Sequence, residues 1–569
     1  MKSTILINHT GYNTQGIKTI VLQTTSEKAP KQFNILNTNN NVVYTGNFLT
    51  GGNIDNWHTG KAYAGDFSKL INPGVYFITT EIEGQTIKSR EFNISEENLS
   101  DKSLSLLIEG IESQHCTDEF DEKDKKMTFF GDRKDTIDVS GGWYDASGDR
   151  GKYLSHLCYS NYFNPQQTPL IVWNLLEAIN QYQLNNNTIN KNLKERMLQE
   201  AIFGADFLIR MQDAEGYFYT NVFANWSWEP SKREICAYEG QDGEKTDEYK
   251  AGFREGGGIA IAALARAAVE SNGGSFSSEV YLNAAIKGFA HLVENNTKYI
   301  DDGKENIIDD YCALLAATEL YGATKNESYI AYAQNRAKLL TSRIKSDDNY
   351  KGWWSANDDG SRPFFHGVES GLPLISLKRY LDFEEDENLR AKTIQTIQKS
   401  IDFEIEITNS VHNPFGYPRQ YVKATNEEKA KASFFIPHHN ETGYWWQGEN
   451  SRLASLVSAF NMTSKYMTEN QKAATLKFSS NCNNWILGLN PYDICMVDGL
   501  GFNNPDYKEG VSLNFKGGVC NGITSGFTNE NDIAFMPLPQ DNDPSHKWRW
   551  SEQWMPHSAW FLLAVTSSN

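Results

Sequence analysis

The hydrophobic period of the chain changes once, near residue 100, and that change limits what it can fold into. Before it, short runs rich in β-branched and aromatic residues alternate with turn residues, at 18–23, 32–36, 42–44, 74–82 and 89–93. Asn37-Thr38-Asn39-Asn40 and Asn72-Pro73-Gly74 supply turns. About seven such strands predict a small β-sandwich over residues 1–95, with no Cys and therefore no disulfide. From 96 to 569 the period is helical, with patterns at 169–182, 193–211, 256–271, 278–295, 307–321, 327–343, 387–407, 442–462, 469–487 and 556–565. The run 257–265 is apolar nearly all round, which predicts a helix buried on most sides. Ten or so antiparallel helices predict a toroid or large bundle.

Between the helices lie long irregular stretches, about 116–165, 212–255, 345–366, 408–440 and 488–554, holding much of the Trp and most of the His. Loops of this length inside a compact domain are usually functional. The 14 Trp and 27 Tyr fit either a large aromatic core or a cleft that stacks on flat apolar faces such as sugar rings.

A net charge of −19 repels phosphate backbones, so nucleic acid is not expected as a partner. No stretch approaches the ~18 apolar residues of a membrane span, so no membrane partner is expected. The apolar run in Met1–His9 is shorter than a signal-peptide core, and the seven scattered Cys lack metal-ligand spacing. These features predict a cytoplasmic protein with reduced, mostly buried thiols.

Two segments carry the chemistry. In Asp138-Val139-Ser140-Gly141-Gly142-Trp143-Tyr144-Asp145-Ala146-Ser147-Gly148-Asp149, a Gly-rich loop sets Asp145 and Asp149 four residues apart beside aromatics. Such a loop bends two carboxylates toward one water, as an inverting glycosidase requires. The same spacing also fits a turn whose Asp side chains accept from backbone N–H groups, or a calcium loop. In Trp548-Arg549-Trp550-Ser551-Glu552-Gln553-Trp554, Glu552 sits among three Trp. An apolar surround raises a carboxyl pKa, which suits a proton donor, although Arg549 pushes the other way. A Glu that merely starts a helix beside core Trp is the plainer reading.

The first segment, continued through Gly151-Lys152-Tyr153, resembles the signature of glycoside hydrolase family 9. Ile7-Asn8-His9-Thr10-Gly11-Tyr12 and Pro73-Gly74-Val75-Tyr76 resemble the immunoglobulin-like domain that often precedes that catalytic domain. Asp309-Asp310-Tyr311-Cys312-Ala313 and Leu487-Gly488-Leu489-Asn490-Pro491 resemble further family stretches in the same order. The resemblance implies an immunoglobulin-like β-sandwich followed by an (α/α)6 barrel, inversion, and no catalytic cofactor or metal. A structural calcium is compatible with it. It implies Asp149 as base, Asp145 as the second water-holding carboxylate and Glu552 as acid. Trp143, Trp353 and Trp354 are the expected stacking platforms, with Tyr144, Trp446 and Trp548 as further sugar contacts.

Three departures stand out. Ser147 is an insertion relative to the usual Asp-Ala-Gly-Asp, so Asp145 stays in contention as base. Asn503-Asn504-Pro505-Asp506-Tyr507 replaces a His-His-Arg element. Tyr444-Trp445-Trp446-Gln447-Gly448-Glu449, preceded by His438-His439-Asn440-Glu441, replaces a Trp-Gly-Ser stretch. The chain is similar to a bacterial subgroup of cytoplasmic exo-β-glucosaminidases, which implies a small soluble oligosaccharide of the chitosan type. A cationic amine calls for a carboxylate, and Glu441 or Glu449 is expected to face it, with Glu255 a weaker candidate. His438 and His439 are expected to touch sugar hydroxyls; being adjacent, they make a poor zinc pair. A cellodextrin-cleaving endoglucanase or β-glucosidase, and a catalytically silent carbohydrate-binding protein, are the competing readings.

Overall fold

The computed structural model describes residues 3–96, 99, 101–185, 190–507 and 514–568. Ten strands build the N-terminal unit: β1 (Thr4–Leu6), β2 (Tyr12–Asn13), β3 (Thr19–Thr24), β4 (Gln32–Asn37), β5 (Val42–Asn47), β6 (Gly52–Asn53), β7 (Lys61–Asp66), β8 (Gly74–Ile82), β9 (Gln85–Lys88) and β10 (Phe92–Ser95). They form two sheets, β1-β3-β7-β6 and β2-β10-β8-β4-β5, with β9 on β8. All pairs are antiparallel except β2 with β10. The strand predicted over 89–93 overlaps β10 only at 92–93, and β9 ends just before it at Lys88.

Strand alternation explains how the sandwich sits. Ile20 and Leu22 point into its core with Phe33, Ile35 and Ile78, while Val21 between them joins the core of the helical domain. Both faces of β3 are therefore buried. From the loop after β6, Trp57 packs against Phe434 at a ring distance of 4.8 Å and against Trp485 at 6.2 Å. Asn8 donates to Asn484 at 2.8 Å, and His9 stacks on Phe502 at 3.4 Å. The sandwich buttresses the helices through apolar and polar contacts together.

Fourteen helices follow among the described residues: α1 (Asp101–Glu112), α2 (Asp118–Asp124), α3 (Thr168–Asn185), α4 (Lys191–Arg210), α5 (Gly258–Glu270), α6 (Ser278–Tyr299), α7 (Ile307–Thr324), α8 (Glu327–Ser342), α9 (Leu372–Leu381), α10 (Glu387–Asn409), α11 (Asn450–Thr463), α12 (Glu469–Ile486), α13 (Pro544–Ser551) and α14 (Met555–Ser567). Helices α3, α5, α7, α9, α11 and α14 contact one another in a closed inner ring. Helices α1, α4, α6, α8, α10 and α12 lie outside it, giving the (α/α)6 barrel. Inner helices are buried on nearly all sides; every residue of α7 from Ile307 to Leu320 is buried. All seven Cys are buried and unpaired.

The helix predicted over 442–462 begins only at Asn450. Upstream, the Asn440 side chain accepts from Thr442 N, and the Thr442 hydroxyl accepts from Trp445 N at 2.7 Å, closing turns in place of a helix. Helix α5 is entered through a π-turn, Phe253–Gly257, where Gly256 takes φ +98°. A Cβ there would meet the Leu154 backbone at 2.8 Å, so glycine is required twice over.

Candidate active site

The connections that enter the N-terminal ends of the inner helices hold the carboxylates. Asp145 and Asp149 precede α3, and Glu552 follows α13 and precedes α14. Short backbone bridges pin the two segments: Ser147 N donates to Gln553 O at 2.9 Å, and Met555 N to Asp145 O at 3.0 Å. The inserted Ser147 contributes directly. Its hydroxyl accepts from Gln553 N at 3.1 Å and donates to Asn514 Oδ1 at 3.1 Å. Ser147 thus ties the Glu552 segment to the aspartate loop.

The aspartates have unequal surroundings. Asp145 Oδ2 accepts from His156 Nε2 and from Trp554 Nε1, each at 2.8 Å, and Oδ1 accepts from Gln167 Nε2. His156 in turn bonds the Tyr238 hydroxyl through Nδ1, an arrangement that places its proton on Nε2. Burial pushes the Asp145 carboxyl above its ordinary range, the Asp149 charge adding to this while His156 and Trp554 oppose it. Asp149 Oδ1 accepts from Gly151 N at 2.7 Å, and Oδ2 from the Tyr153 hydroxyl at 2.7 Å. Each Asp149 oxygen keeps lone-pair capacity for a water, whereas Asp145 Oδ2 is saturated by two donors.

Glu552 is held well above the usual carboxylate range. Burial is the largest cause, followed by the charges of Asp149 and Asp145; a hydrogen bond from Gly148 N opposes them. Arg549 does not intervene. Its guanidinium donates to Trp446 O at 2.6 Å and Tyr444 O at 3.2 Å, and stacks on Trp446 and Trp548. Burial lowers its pKa to about 10. Arg150 stacks between Tyr144 and Trp228, and Trp228 Nε1 donates to Gly148 O at 3.3 Å.

The three carboxylates converge as the sequence predicts, but several proposed sugar contacts do not. Trp143 is 1% exposed and donates to Glu200, wedged against Phe203. Trp354 is buried with Nε1 on Ser400 of the outer helix α10. Trp353 packs among Phe403, Ile407 and Tyr421, outside the carboxylate cluster. These three rings serve packing because their faces are covered by side chains. Trp446 is likewise closed on both faces, by His438 at 3.8 Å and Arg549 at 4.1 Å. Tyr144 is buried, its hydroxyl on Thr117 and its ring against Phe120.

Glu449 is 1% exposed and committed to Arg452, Gln420 and Ile436 N, so it cannot face an amine. Glu441 pairs with both sides of the Arg362 guanidinium at 2.5 and 3.0 Å. Glu255 caps Gly252 N, and burial raises it to about 8. Trp548 remains half-buried beside Arg549. His438 bonds Ser525 through Nε2, and burial pushes it down to about 4. His439 is exposed. His156, Gln167 and Tyr238 escaped the sequence reading; Tyr153 and Trp554 stood in the quoted segments, as the end of the aspartate motif and the third Trp around Glu552, without an assigned role.

Asp145, Asp149 and His156 are the one group of described residues that brings three potential metal ligands together, all within 4.8 Å. Their atoms are already engaged with one another and with Gln167, Trp554 and Tyr153, as in an acid–base site. No helix among the described residues is long and apolar enough to cross a membrane.

Comparison with known proteins agrees with this geometry. No curated protein matches the chain. The fold is shared with a metagenome-derived glycoside hydrolase family 9 endoglucanase (TM-score 0.67, 17% identity, covering 99% of this chain and 98% of that one). It is shared also with a family 9 protein of Bacteroides ovatus (0.66, 18%, 99% and 98%) and with the family 9 endoglucanase J30 (0.64, 17%, 97% and 99%). The profile of a cellulase N-terminal ig-like domain matches residues 1–85. Because the profile of glycosyl hydrolase family 9 matches residues 108–509, most of the barrel and the aspartate loop with it, the chain belongs to that family and is a glycosidase.

Proposed function

We propose that the chain hydrolyses short β-linked oligosaccharides with inversion, using Glu552 as acid, Asp149 as base and Asp145 as the fixed second carboxylate around the attacking water. The observation that carries this reading is the electrostatic asymmetry of the site: burial and two nearby aspartates push the Glu552 carboxyl well above its ordinary range, toward its protonated form. Glu552 gives its proton to the glycosidic oxygen as the bond to the anomeric carbon breaks. Asp149 takes a proton from water as the oxygen attacks the opposite face. Asp145, clamped by His156, Trp554 and Gln167, positions that water. Retention of all three carboxylates argues against a silent binding protein. Proton NMR of the first-formed anomer tests the mechanism; a retained configuration overturns it.

Within this class we place an exo-β-glucosaminidase that releases glucosamine from chitosan-type oligosaccharides such as the glucosamine dimer. Its support lies in the departures from the usual family 9 pattern at Ser147, at Asn503–Tyr507 and at Tyr444–Glu449, together with the surplus of acidic charge. With Glu441 and Glu449 occupied by arginines, the amine falls to Asp149 itself and to exposed Glu239, whose charge acts on Tyr159. The cellodextrin reading has one observation in its favour: Arg150 and Arg549 near the site form no ion pair with a carboxylate among the described residues, and such guanidinium groups repel an ammonium. Product analysis on the glucosamine dimer and cellobiose separates the two. Glucose from cellobiose with no glucosamine from its dimer sinks the amino-sugar assignment.

A further inference from the structure

Trp353 belongs to a second aromatic cluster, and that cluster borders a cavity of about 590 Å³. The cavity lies between the hairpin of Ile344–Ser346 with Lys351–Trp354, the hairpin of Gln420–Val422 with Lys431–Ser433, and the C-terminal end of α10. Both hairpins occupy connections from an outer to an inner helix. The cavity therefore opens on the barrel end that carries Asp149 and Glu552, but over the outer ring and not at its centre.

Its lining fits a sugar. Tyr350 and Tyr421 stand with ring centroids 5.4 Å apart at 70°, and Trp353 supports Tyr421 from 5.6 Å. The tyrosine loop is fixed in advance: Asp347 accepts from Asn349 N at 2.8 Å, from Tyr350 N at 2.9 Å and from the Tyr421 hydroxyl at 2.8 Å. Little ordering entropy is left for a ligand to supply. On the rim, Asp348 and Glu406 are exposed and have no hydrogen-bond or ion-pair partner among the described residues. The volume falls in the usual range of small-molecule sites, about 300–1,000 Å³. The half-buried Tyr350 ring suits the C–H face of a pyranose, with buried Tyr421 and Trp353 supporting it from behind, and free carboxylates suit paired hydroxyl or ammonium donors. An apolar peptide would leave those carboxylates unmatched; the lining Lys431 is already paired with Glu427 and Glu530, so an anionic ligand meets mainly the free carboxylates.

We propose that this cavity is a second oligosaccharide-binding site, peripheral to the catalytic centre, which holds a separate chain. The proposal rests on the oligosaccharide reading above. The test uses Glu552→Gln protein, which binds without cutting, titrated calorimetrically with glucosamine hexamer and with cellohexaose. Two binding events are expected for one of these sugars. Tyr350→Ala in the same background should weaken one event about tenfold or more, the loss of one aromatic anchor. Asp348→Ala, a surface change that spares the fold, should weaken the same event. In otherwise native protein, Tyr350→Ala should leave hydrolysis of a disaccharide within about twofold. A single event unaffected by either substitution, or no binding of either hexamer, overturns the proposal. Failure of native protein to cut any disaccharide, with the Tyr350-dependent event intact, overturns the catalytic reading and leaves the second site standing.

Discussion

Gly148→Ala adds one methyl group at the point where acid and base segments meet. The added methyl would stand 2.5 Å from Glu552 Oε1 and 2.7 Å from Tyr507 Cε1, against 3.4 Å for ordinary contact. Gly148 does not have positive φ, so the substitution brings no backbone strain, only this clash. Relief requires the acid carboxyl to retreat by about 1 Å, and a displacement of that size costs on the order of 10²-fold in rate. The hydrogen bond from Gly148 N to the carboxyl is stretched at the same time. Overpacking also costs about 1–3 kcal/mol of stability, so thermal unfolding is measured in parallel. Gly52→Ala serves as the control, because its added methyl meets nothing within 4 Å. The assay is kcat/KM on a disaccharide and on an aryl glycoside with the same sugar. A good leaving group needs little protonation, so the loss should be large on the disaccharide and small on the aryl glycoside. An unchanged disaccharide rate, or equal losses on both substrates in folded protein, refutes the placement of Glu552 as the proton donor.

Asp149→Ala should lower kcat by orders of magnitude with little change in substrate affinity, and more than Asp145→Asn, which keeps an acceptor for His156 and Trp554; steady-state kinetics of both variants decides, and the reverse order exchanges their roles. Burial raises Glu369 and Glu255 to about 8, from 4.5. Between those values the folded chain keeps protons that the unfolded chain releases, so stability should fall as pH rises, by up to about 1.4 kcal/mol per pH unit for each group. Glu369→Gln, which removes the titrating group, keeps one oxygen to accept from Gln166 N and turns an NH2 donor toward the Tyr311 hydroxyl, should flatten that decline in urea titrations run from about pH 5 to about pH 8. Trp57→Ala should cost about 3–5 kcal/mol of unfolding free energy by emptying the joint between sandwich and barrel. Catalysis measured well below the new midpoint should persist.

How much of this was legible in the sequence follows from the range of the interactions involved. The two domains show in local periodicity: alternation along β3 and β8, and all-round apolarity in α5 and α7. The carboxylates show because chemistry forces them into Gly-rich and Trp-rich segments. What stayed hidden is set by distant pairing. Gln167 and His156 clamp Asp145 from beyond the motif, and Trp554 reaches it from 409 positions away. Trp143, Trp353 and Trp354 read as sugar platforms only while their neighbours were unknown; Glu200, Tyr421 and Ser400 absorb them. The same holds for Glu449, whose partner Arg452 stands one helical turn on and was visible as a sequence pair.

The Ser147 insertion shows what spacing alone leaves open about the aspartates. Between carboxylates, one extra residue reads as looseness in the pair. In the folded chain it does the opposite: its hydroxyl takes the Gln553 N–H while its own N–H donates to Gln553 O, so the aspartate loop and the residue after the acid are bonded twice. Asp149 is brought beside Glu552 by that link, and its charge is one of the causes that push Glu552 toward its protonated form. Ser147→Ala removes the hydroxyl and leaves Gln553 N without that partner in a buried site, a cost of about 1–3 kcal/mol. If the link governs the acid, the alkaline limb of the kcat/KM profile should move to lower pH in this variant, because a looser Asp149 raises Glu552 less. A profile that keeps its limb while only stability falls would reduce Ser147 to a packing residue.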